Sequence, residues 1–282
     1  MNAYLVSLST IVAINVVLAL SLNIITGFCG QVSLGHAAFY GIGAYAGAMF
    51  ALKGAPFPVA LLGAALVAGG IGVVVGLASL RVRQDFLAIV TMGVGFLFLG
   101  FVRKQKWLGG EMGLTGIPET GLGALGDLVF IIAVAVAVFA FSLYLKRSWM
   151  GTAFDAIARD QDAAATLGID VARFKLAAFG IGTAIAGFAG GFYAYFARSI
   201  LPDTFGFLVS VMVLSMAVIG GLGSVVGVTI AAILLTLLPE WFRFINEYRL
   251  LIFGGLLVVV MLVSPGGVGS VLAWRPSKGG RG

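Results

Sequence analysis

Six polar side chains lie in or next to two uncharged, glycine-rich stretches of the sequence. The stretches read LALSLNIITGFCGQVSLGHAAF (18–39) and VMVLSMAVIGGLGSVVGVTIAA (211–232). Amide, hydroxyl and imidazole groups exchange hydrogen bonds without a fixed charge, so they suit a neutral or zwitterionic solute better than an ion. The same groups also form ordinary hydrogen bonds between helices, and both interpretations stay open. The candidate residues are Asn23, Gln31, Ser33, His36, Tyr40 and Ser224.

The two stretches form a weak internal repeat. Aligning 27–32 with 220–225 pairs an apolar run, a G-x-x-G break, a polar residue and a second apolar run. Corresponding glycine-interrupted segments are the best sequence indication of a binding region in a membrane transporter. Tight helix packing or plain interhelical turns would give the same pattern. The predicted hinge residues are Gly27, Gly30, Gly220, Gly221 and Gly223.

The sequence lacks the residues that phosphate binding, metal binding or nucleophilic catalysis would need. The sequence has no phosphate-binding loop, one histidine and one cysteine, and no carboxylate lies near His36 in the sequence. We therefore expect no catalytic residues, no metal site and no cofactor. The net charge of +6 comes from basic residues scattered between apolar stretches, which indicates loop charges rather than a nucleic-acid surface.

Composition places these residues in a membrane. Of the 282 residues, 61% are hydrophobic and 10% are charged, against about 25% charged in soluble domains. A spanning helix needs about 20 predominantly apolar residues. The sequence predicts an all-α polytopic bundle of about nine segments, two of them broken by glycine, in one membrane domain (1–282). The segments are 3–26, 32–52, 57–80, 86–102, 128–145, 175–197, 207–220, 225–239 and 250–265.

The longest polar stretch is 146–175, and its basic residues favour a cytoplasmic position. Alternation of the segments then puts the N-terminus outside and the C-terminal tail inside. Lysine and arginine number ten inside and seven outside with this arrangement. We therefore expect an N-terminus outside and a cytoplasmic C-terminus.

The loop 146–175 has the pattern of short amphipathic helices. Phe154, Ile157 and Ala158 share a helical face, and Asp155 and Arg159 are spaced as an i,i+4 ion pair. Asp160 or Asp162 can cap a second short helix that Gly168 ends. Such a helix can seat in a groove of another protein. A solvated connector on the membrane surface is the alternative.

Several blocks in order resemble the LivM-type permease subunits of branched-chain amino acid ABC importers. They are SLNIITGFCGQVSLGHAAFYGIGAYAGA (21–48), LRVRQDFLAIVTMGVG (80–95), GLTGIP (113–118), DAIARDQDAAATLGIDVARFKLAAF (155–179), FGFLVSVMVLSMAVIGGLGSVVG (205–227) and YRLLIFGGLLVVVMLVSPGGVG (248–269).

The resemblance implies the fold of a type II-like ABC importer permease in the bacterial inner membrane. It implies as partners two ATPase subunits, a LivH-like permease or a second copy of this chain, and a periplasmic amino acid-binding protein. Relatives that import urea, amides or aromatic acids leave the substrate open, and a stand-alone ion-coupled carrier is an alternative of another class. The resemblance implies ATPase coupling by Arg159, Asp160, Ala163, Ala164, Leu167 and Gly168.

Overall fold

The computed structural model describes residues 3–80, 84–241 and 254–255. Within these residues all the long elements are helices. Two short strands, β1 (Leu114–Thr115) and β2 (Ser199–Ile200), pair antiparallel. The helices are α1 (Ala3–Leu22), α2 (His36–Leu52), α3 (Phe57–Ser79), α4 (Gln84–Lys104), α5 (Gly123–Arg147), α6 (Trp149–Arg159), α7 (Gln161–Thr166), α8 (Val171–Ala197), α9 (Phe207–Gly220) and α10 (Val225–Trp241).

The prediction of an all-α polytopic membrane protein is confirmed. Six helical stretches in the described ranges are long and apolar enough to cross a membrane, whereas α2 and α10 have 17 residues each and are shorter. Eight predicted segments coincide with helices to within a few residues. The ninth, 250–265, lies outside the described residues except for 254–255, which are helical. The predicted C-terminal tail also lies outside them.

Local chemistry explains where the helices of the loop 146–175 begin. The Ser148 hydroxyl accepts a hydrogen bond from the Gly151 N–H at 3.4 Å at the start of α6. The Asp160 carboxylate accepts from the N–H groups of Asp162 and Ala163 at the start of α7. A side-chain acceptor at this position satisfies backbone donors that have no partner within the helix. The predicted cap at Asp160 is therefore confirmed.

Helix α8 lies at the centre of the bundle and packs through small residues. A β-carbon added to Gly47 of α2 would lie 2.8 Å from the Gly191 Cα, and one added to Gly191 would lie 2.8 Å from the Ala64 Cβ of α3. Small residues four apart let helix backbones approach closely where lipid supplies no hydrophobic driving force. Most of the glycine in α2 and α8 therefore serves packing.

The two ends of the bundle differ. Helix α5 leads directly into the loop 146–175 and α8 leads out of it. At the opposite end, the paired strands join the connections before α5 and after α8, and ion pairs reinforce them. One ion pair joins Arg103 to Asp203, and another joins Arg198 to Glu119 at 2.8 Å. We call this end the capped end.

Candidate functional site

The first glycine break is a change of backbone type followed by an irregular stretch. Helix α1 continues as a π-helical turn, Asn23–Phe28, and Gly30 then takes a φ of +71°, which favours glycine. Residues 31–35 are irregular, and α2 begins at His36. Isolated π-helical turns are rare and occur frequently at functional sites. The predicted break at Gly30 is confirmed, whereas its role as a hinge stays a prediction.

The irregular stretch runs inside the bundle, alongside α8. The Gln31 side-chain amide donates to the Lys175 carbonyl oxygen at 3.2 Å, near the beginning of α8. The His36 imidazole contacts the Ser21 hydroxyl, and the Ser21 backbone carbonyl lies beside Gly182 of α8. Lys175 and Gly182 are about two helical turns apart, or about 10 Å along the axis. Helix α2 therefore begins well inside the bundle.

Neighbouring helices supply hydrogen bonds to this irregular backbone. The Leu34 N–H donates to the Thr91 hydroxyl of α4 at 3.0 Å, and the Ala37 N–H donates to the Ser210 hydroxyl of α9 at 2.9 Å. Non-helical backbone at membrane depth persists only where protein or a cavity satisfies it. Thr91 and Ser210 thus hold the start of α2 from two sides.

Four of the predicted solute-contacting residues are almost completely buried and carry an unsatisfied polar atom. No hydrogen-bond partner exists within the described part of the chain for four buried side-chain atoms of this set. Leaving such an atom unpaired costs about 1–3 kcal/mol. The atoms are Asn23 Nδ2, Gln31 Oε1, Ser33 Oγ and His36 Nδ1.

Tyr40 lies apart from these four, near the capped end. Its ring packs against Phe205 at 5.2 Å and against Tyr193 at 5.6 Å between ring centroids. Tyr40 is 5% exposed, so the ring is part of an aromatic cluster under the cap. Tyr40 and the polar set therefore lie at different depths of the bundle.

The second glycine break is a tight turn between α9 and α10. Gly221 and Gly223 have φ values of +93° and +80°, and Gly220 packs closely against Val228. The Ser224 hydroxyl accepts from the Gly227 N–H at 3.1 Å and caps the start of α10. The predicted break is confirmed, and the Ser224 side chain is already engaged in the fold.

The two breaks touch each other. The Gly223 N–H donates to the Asn23 Oδ1 atom at 2.9 Å, although the two residues are 200 positions apart. A β-carbon added to Gly27 would overlap both the Asn23 side chain and the Gly223 nitrogen. The absence of a side chain at Gly27 is therefore a condition for this contact.

The predicted coupling residues lie on α6, on α7 and in the turns that bound α7, and five of the six are exposed. Leu167 is 78% exposed, whereas Ala164 is 2% exposed and faces the core. Gly168 follows the end of α7 and has a φ of +85°, so it stops the helix as the sequence predicts. Asp155 and Arg159 form the predicted ion pair at 3.3 Å.

A groove of about 670 Å³ lies beside these helices. Trp149, which is 75% exposed, and Leu167 stand among its lining residues, and Ile169 and Phe174 form part of its wall. Large exposed apolar side chains around a groove are typical of a surface that contacts another protein or the membrane. Gly168 also lines this groove, whereas Arg159, Asp160, Ala163 and Ala164 do not.

Contacts join this loop to both breaks. Gly30 packs against Ala158 of α6, since an added β-carbon would lie 3.0 Å from the Ala158 Cα. The Lys175 ammonium donates to the Gln161 side-chain oxygen of α7 at 2.6 Å, next to the Gln31 contact. The Lys146 ammonium donates to the Gly223 carbonyl oxygen. The loop is therefore in direct contact with both breaks.

Sequence reasoning missed the side chains that hold the first break in place. Ser21 is 2.7 Å from the His36 Nε2 atom, and Thr91, Ser210 and Lys175 supply contacts from three other helices. Thr91 was recognisable, because it is the single hydroxyl-bearing residue of the segment 86–102. The others had no comparable signal, because which helices meet is a property of the tertiary fold.

The fold and the two breaks define a multi-pass α-helical membrane protein with irregular backbone inside its bundle. The family described as "Branched-chain amino acid transport system / permease component" matches residues 4–261. The chain therefore belongs to this permease family. No solved structure matches the chain.

Named relatives agree with this assignment. The chain is 34% identical to "High-affinity branched-chain amino acid transport system permease protein LivM" of Escherichia coli (strain K12) over 294 residues, covering 93% of this chain and 69% of the relative. LivM of Salmonella typhimurium matches equally, at 34% with the same coverage. The LivH permease of E. coli is 32% identical over 142 residues, covering 50% of this chain and 46% of LivH.

Proposed function

We propose that this chain is the transmembrane permease subunit of an ABC importer that carries branched-chain amino acids into the cytoplasm. The observation that carries the proposal is the 34% identity to LivM along 93% of the chain. The chain itself has no catalytic role in this proposal, and ATP hydrolysis resides on partner subunits. It functions as a multi-pass protein of the bacterial inner membrane, without a cofactor.

The partners are two ATPase subunits, a LivH-like permease or a second copy of this chain, and a periplasmic amino acid-binding protein. The exposed groove around Trp149 and Leu167 supports an ATPase contact, because the loop offers apolar side chains outside the spanning helices. Arg159, Asp160, Ala163, Leu167 and Gly168 would touch the ATPase. Ala164 would act indirectly, since it packs toward the core.

The orientation follows from the same assignment. Docking to ATPases requires the loop 146–175 in the cytoplasm, so the capped end faces the periplasm and the N-terminus of α1 lies outside. The bias of ten basic residues inside against seven outside supports this direction. An additional helix over 250–265 would bring the number of membrane segments to nine and place the C-terminus in the cytoplasm.

The solute would pass the buried polar set at the first break. The unsatisfied atoms of Asn23, Gln31, Ser33 and His36 support this route, because a solute with donors and acceptors would satisfy them in passing. Uncharged groups bind a zwitterion weakly, which suits a path that must also release it. Tyr40 would contact the solute nearer the periplasm. Ser224 would contact it only if its hydroxyl no longer capped α10.

The testing experiment combines purification with uptake. The tagged chain is isolated in mild detergent from a host that expresses its neighbouring genes, and bound proteins are identified by mass spectrometry. Uptake of labelled leucine, urea, short amides and aromatic acids is compared in cells with and without the chain. We expect ATPase subunits, a second permease and chain-dependent leucine uptake.

Other results would contradict the proposal in distinct ways. Chain-dependent uptake of urea, an amide or an aromatic acid without leucine would keep the transporter class and replace the substrate. A chain recovered alone and folded, which moves solute in liposomes under an ion gradient, would establish an ion-coupled carrier instead.

A further inference from the structure

A small polar cavity of about 310 Å³ lies at the capped end, away from both breaks. The first turns of α1 and α5 and the last turn of α8 enclose it. This volume lies at the lower end of the range of small-molecule sites, about 300–1,000 Å³. The lining residues that matter here are Val6, Glu119, Thr120, Asp127, Tyr195 and Arg198.

Charged side chains of both signs line this cavity. The Arg198 guanidinium is 2.8 Å from the Glu119 carboxylate, and these side chains are 62% and 65% exposed. The Thr120 hydroxyl donates to one oxygen of Asp127. A guanidinium has five N–H donors and a carboxylate about four acceptor positions, so both Arg198 and Asp127 keep capacity for a ligand.

The backbone fixes the position of Arg198. This residue ends α8 with a φ of +58°, its N–H donates to the Ala194 carbonyl at 3.0 Å, and its carbonyl accepts from Ile117 at 3.3 Å. The side chain thus starts from a defined point at the rim. The pair with Glu119 is the exposed part of the lining, and Tyr195 is a buried part of it.

Tyr195 supplies a buried polar group with no use in the fold. It is 3% exposed, and its hydroxyl has no hydrogen-bond partner among the described residues. Phe57 holds the ring edge to face, with centroids 4.9 Å apart and planes at 88°. A buried hydroxyl that finds no protein partner carries a desolvation cost that a ligand can remove.

We propose that this cavity is a subsite for the zwitterionic head of an α-amino acid at the periplasmic entrance. Arg198 and the Tyr195 hydroxyl donate to the ligand carboxylate, and Asp127 accepts from its ammonium group. The apolar side chain of the ligand lies toward Val6. Two carboxylates and one guanidinium leave the cavity with one net negative charge, which offsets the ammonium. The inference rests on the proposed function, because it places the imported substrate in the cavity.

The test uses the purified complete transporter, with both permeases and ATPases but without binding protein. Its thermal unfolding is followed with increasing leucine, with 4-methylpentanoate, which lacks the ammonium group, and with 3-methylbutylamine, which lacks the carboxylate. A ligand that binds the folded protein raises the unfolding midpoint. We expect leucine to bind at least tenfold more tightly than either analogue.

Two variants and two controls locate the binding. Asp127→Asn should weaken leucine binding tenfold or more, and Tyr195→Phe should weaken it severalfold. Asp203→Asn changes a carboxylate that pairs with Arg103 outside the cavity, and Tyr144→Phe changes an exposed tyrosine near the other end of α5. Both controls should bind leucine as the unsubstituted transporter does. Each variant is first checked for an unchanged midpoint without ligand, and Tyr195→Phe carries the test if Asp127→Asn does not fold.

The failures of the two proposals are distinguishable. Equal leucine binding by the cavity variants and the controls, or equal binding of leucine and its analogues, would overturn the subsite. Intact leucine uptake by the same transporter would then leave the importer assignment in place. If the unsubstituted transporter took up no leucine, both proposals would be overturned.

Discussion

The first and second glycine breaks share a sequence pattern but differ in backbone and in polar content. The first includes a π-helical turn and an irregular stretch inside the bundle, and it carries four unsatisfied polar atoms. The second is a tight turn whose serine caps α10. Similar spacing of glycine and polar residues has therefore produced one polar interior and one rigid turn that supports it.

The contact between the breaks explains how these different roles combine. Asn23 offers its carbonyl oxygen to the Gly223 N–H and keeps its amide nitrogen unpaired. The second break thereby fixes the orientation of a side chain in the first. Changes at this contact should affect both breaks, whereas changes elsewhere should affect one.

The largest effect is expected from Gly27→Ala, because its β-carbon would overlap Asn23 and the Gly223 nitrogen. Forcing the breaks apart should cost roughly 1–3 kcal/mol and abolish most transport. The measurements are the unfolding midpoint of the detergent-purified transporter and leucine uptake. Gly93→Ala is the control, since apart from its chain neighbours and the backbone of its own helix no described atom lies within 4 Å of its added β-carbon. An unchanged midpoint and uptake for Gly27→Ala would show that the breaks do not need this contact.

A slightly smaller effect is expected from Asn23→Ala, which leaves the Gly223 N–H without its acceptor. The cost should be about 1–3 kcal/mol, and transport per folded molecule should also fall because the unpaired amide is lost. Asn15→Ala is the matched control, since Asn15 donates to Thr236 at 3.1 Å between α1 and α10, away from the breaks. Asn15→Ala should lower stability but leave transport per folded molecule unchanged. Equal transport by the two folded variants would argue against a role for Asn23 in the path.

The two serines test the comparison most directly. Ser33→Ala removes a hydroxyl with no partner in the described protein, so stability should hold while transport falls about three- to tenfold. Ser224→Ala removes a helix cap, so stability should fall by about 1 kcal/mol with transport per folded molecule unchanged. Uptake normalised to folded transporter separates the two. The opposite pattern would assign the path to the second break and restore Ser224 as a pathway residue.

The sequence predicted most helices and both breaks because uncharged runs and glycines are local signals. It also predicted the Asp160 cap and the Gly168 stop in the loop, which depend on neighbouring positions. Nothing local distinguishes a π-helical turn from an α-helical one at Asn23–Phe28. A helix as short as α7 likewise gives too few turns to indicate which face is buried.

The candidate site was predictable in its residues but not in its geometry. The polar set around Gln31 was recognisable from its composition, whereas the pairing of Asn23 with Gly223 joins residues 200 positions apart. Hydrogen bonds from Thr91 and Ser210 depend on how α4 and α9 pack. Such contacts are decided by the whole bundle, and glycine repeats do not specify them.

The smallest effect is expected at the connection between the loop and the second break. Lys146 is exposed, so water competes for its ammonium, and Lys146→Met should change transport per ATP hydrolysed by less than about twofold.

Gln161→Met acts on the first break, since it removes the partner of Lys175, which is 8% exposed. It should uncouple more strongly, because a poorly hydrated charge loses its acceptor. Parallel assays of ATP hydrolysis and leucine uptake give both ratios. If Lys146→Met uncoupled as strongly as Gln161→Met, the loop would act on the two breaks equally, and the breaks would differ in backbone and polar content but not in their coupling to the loop.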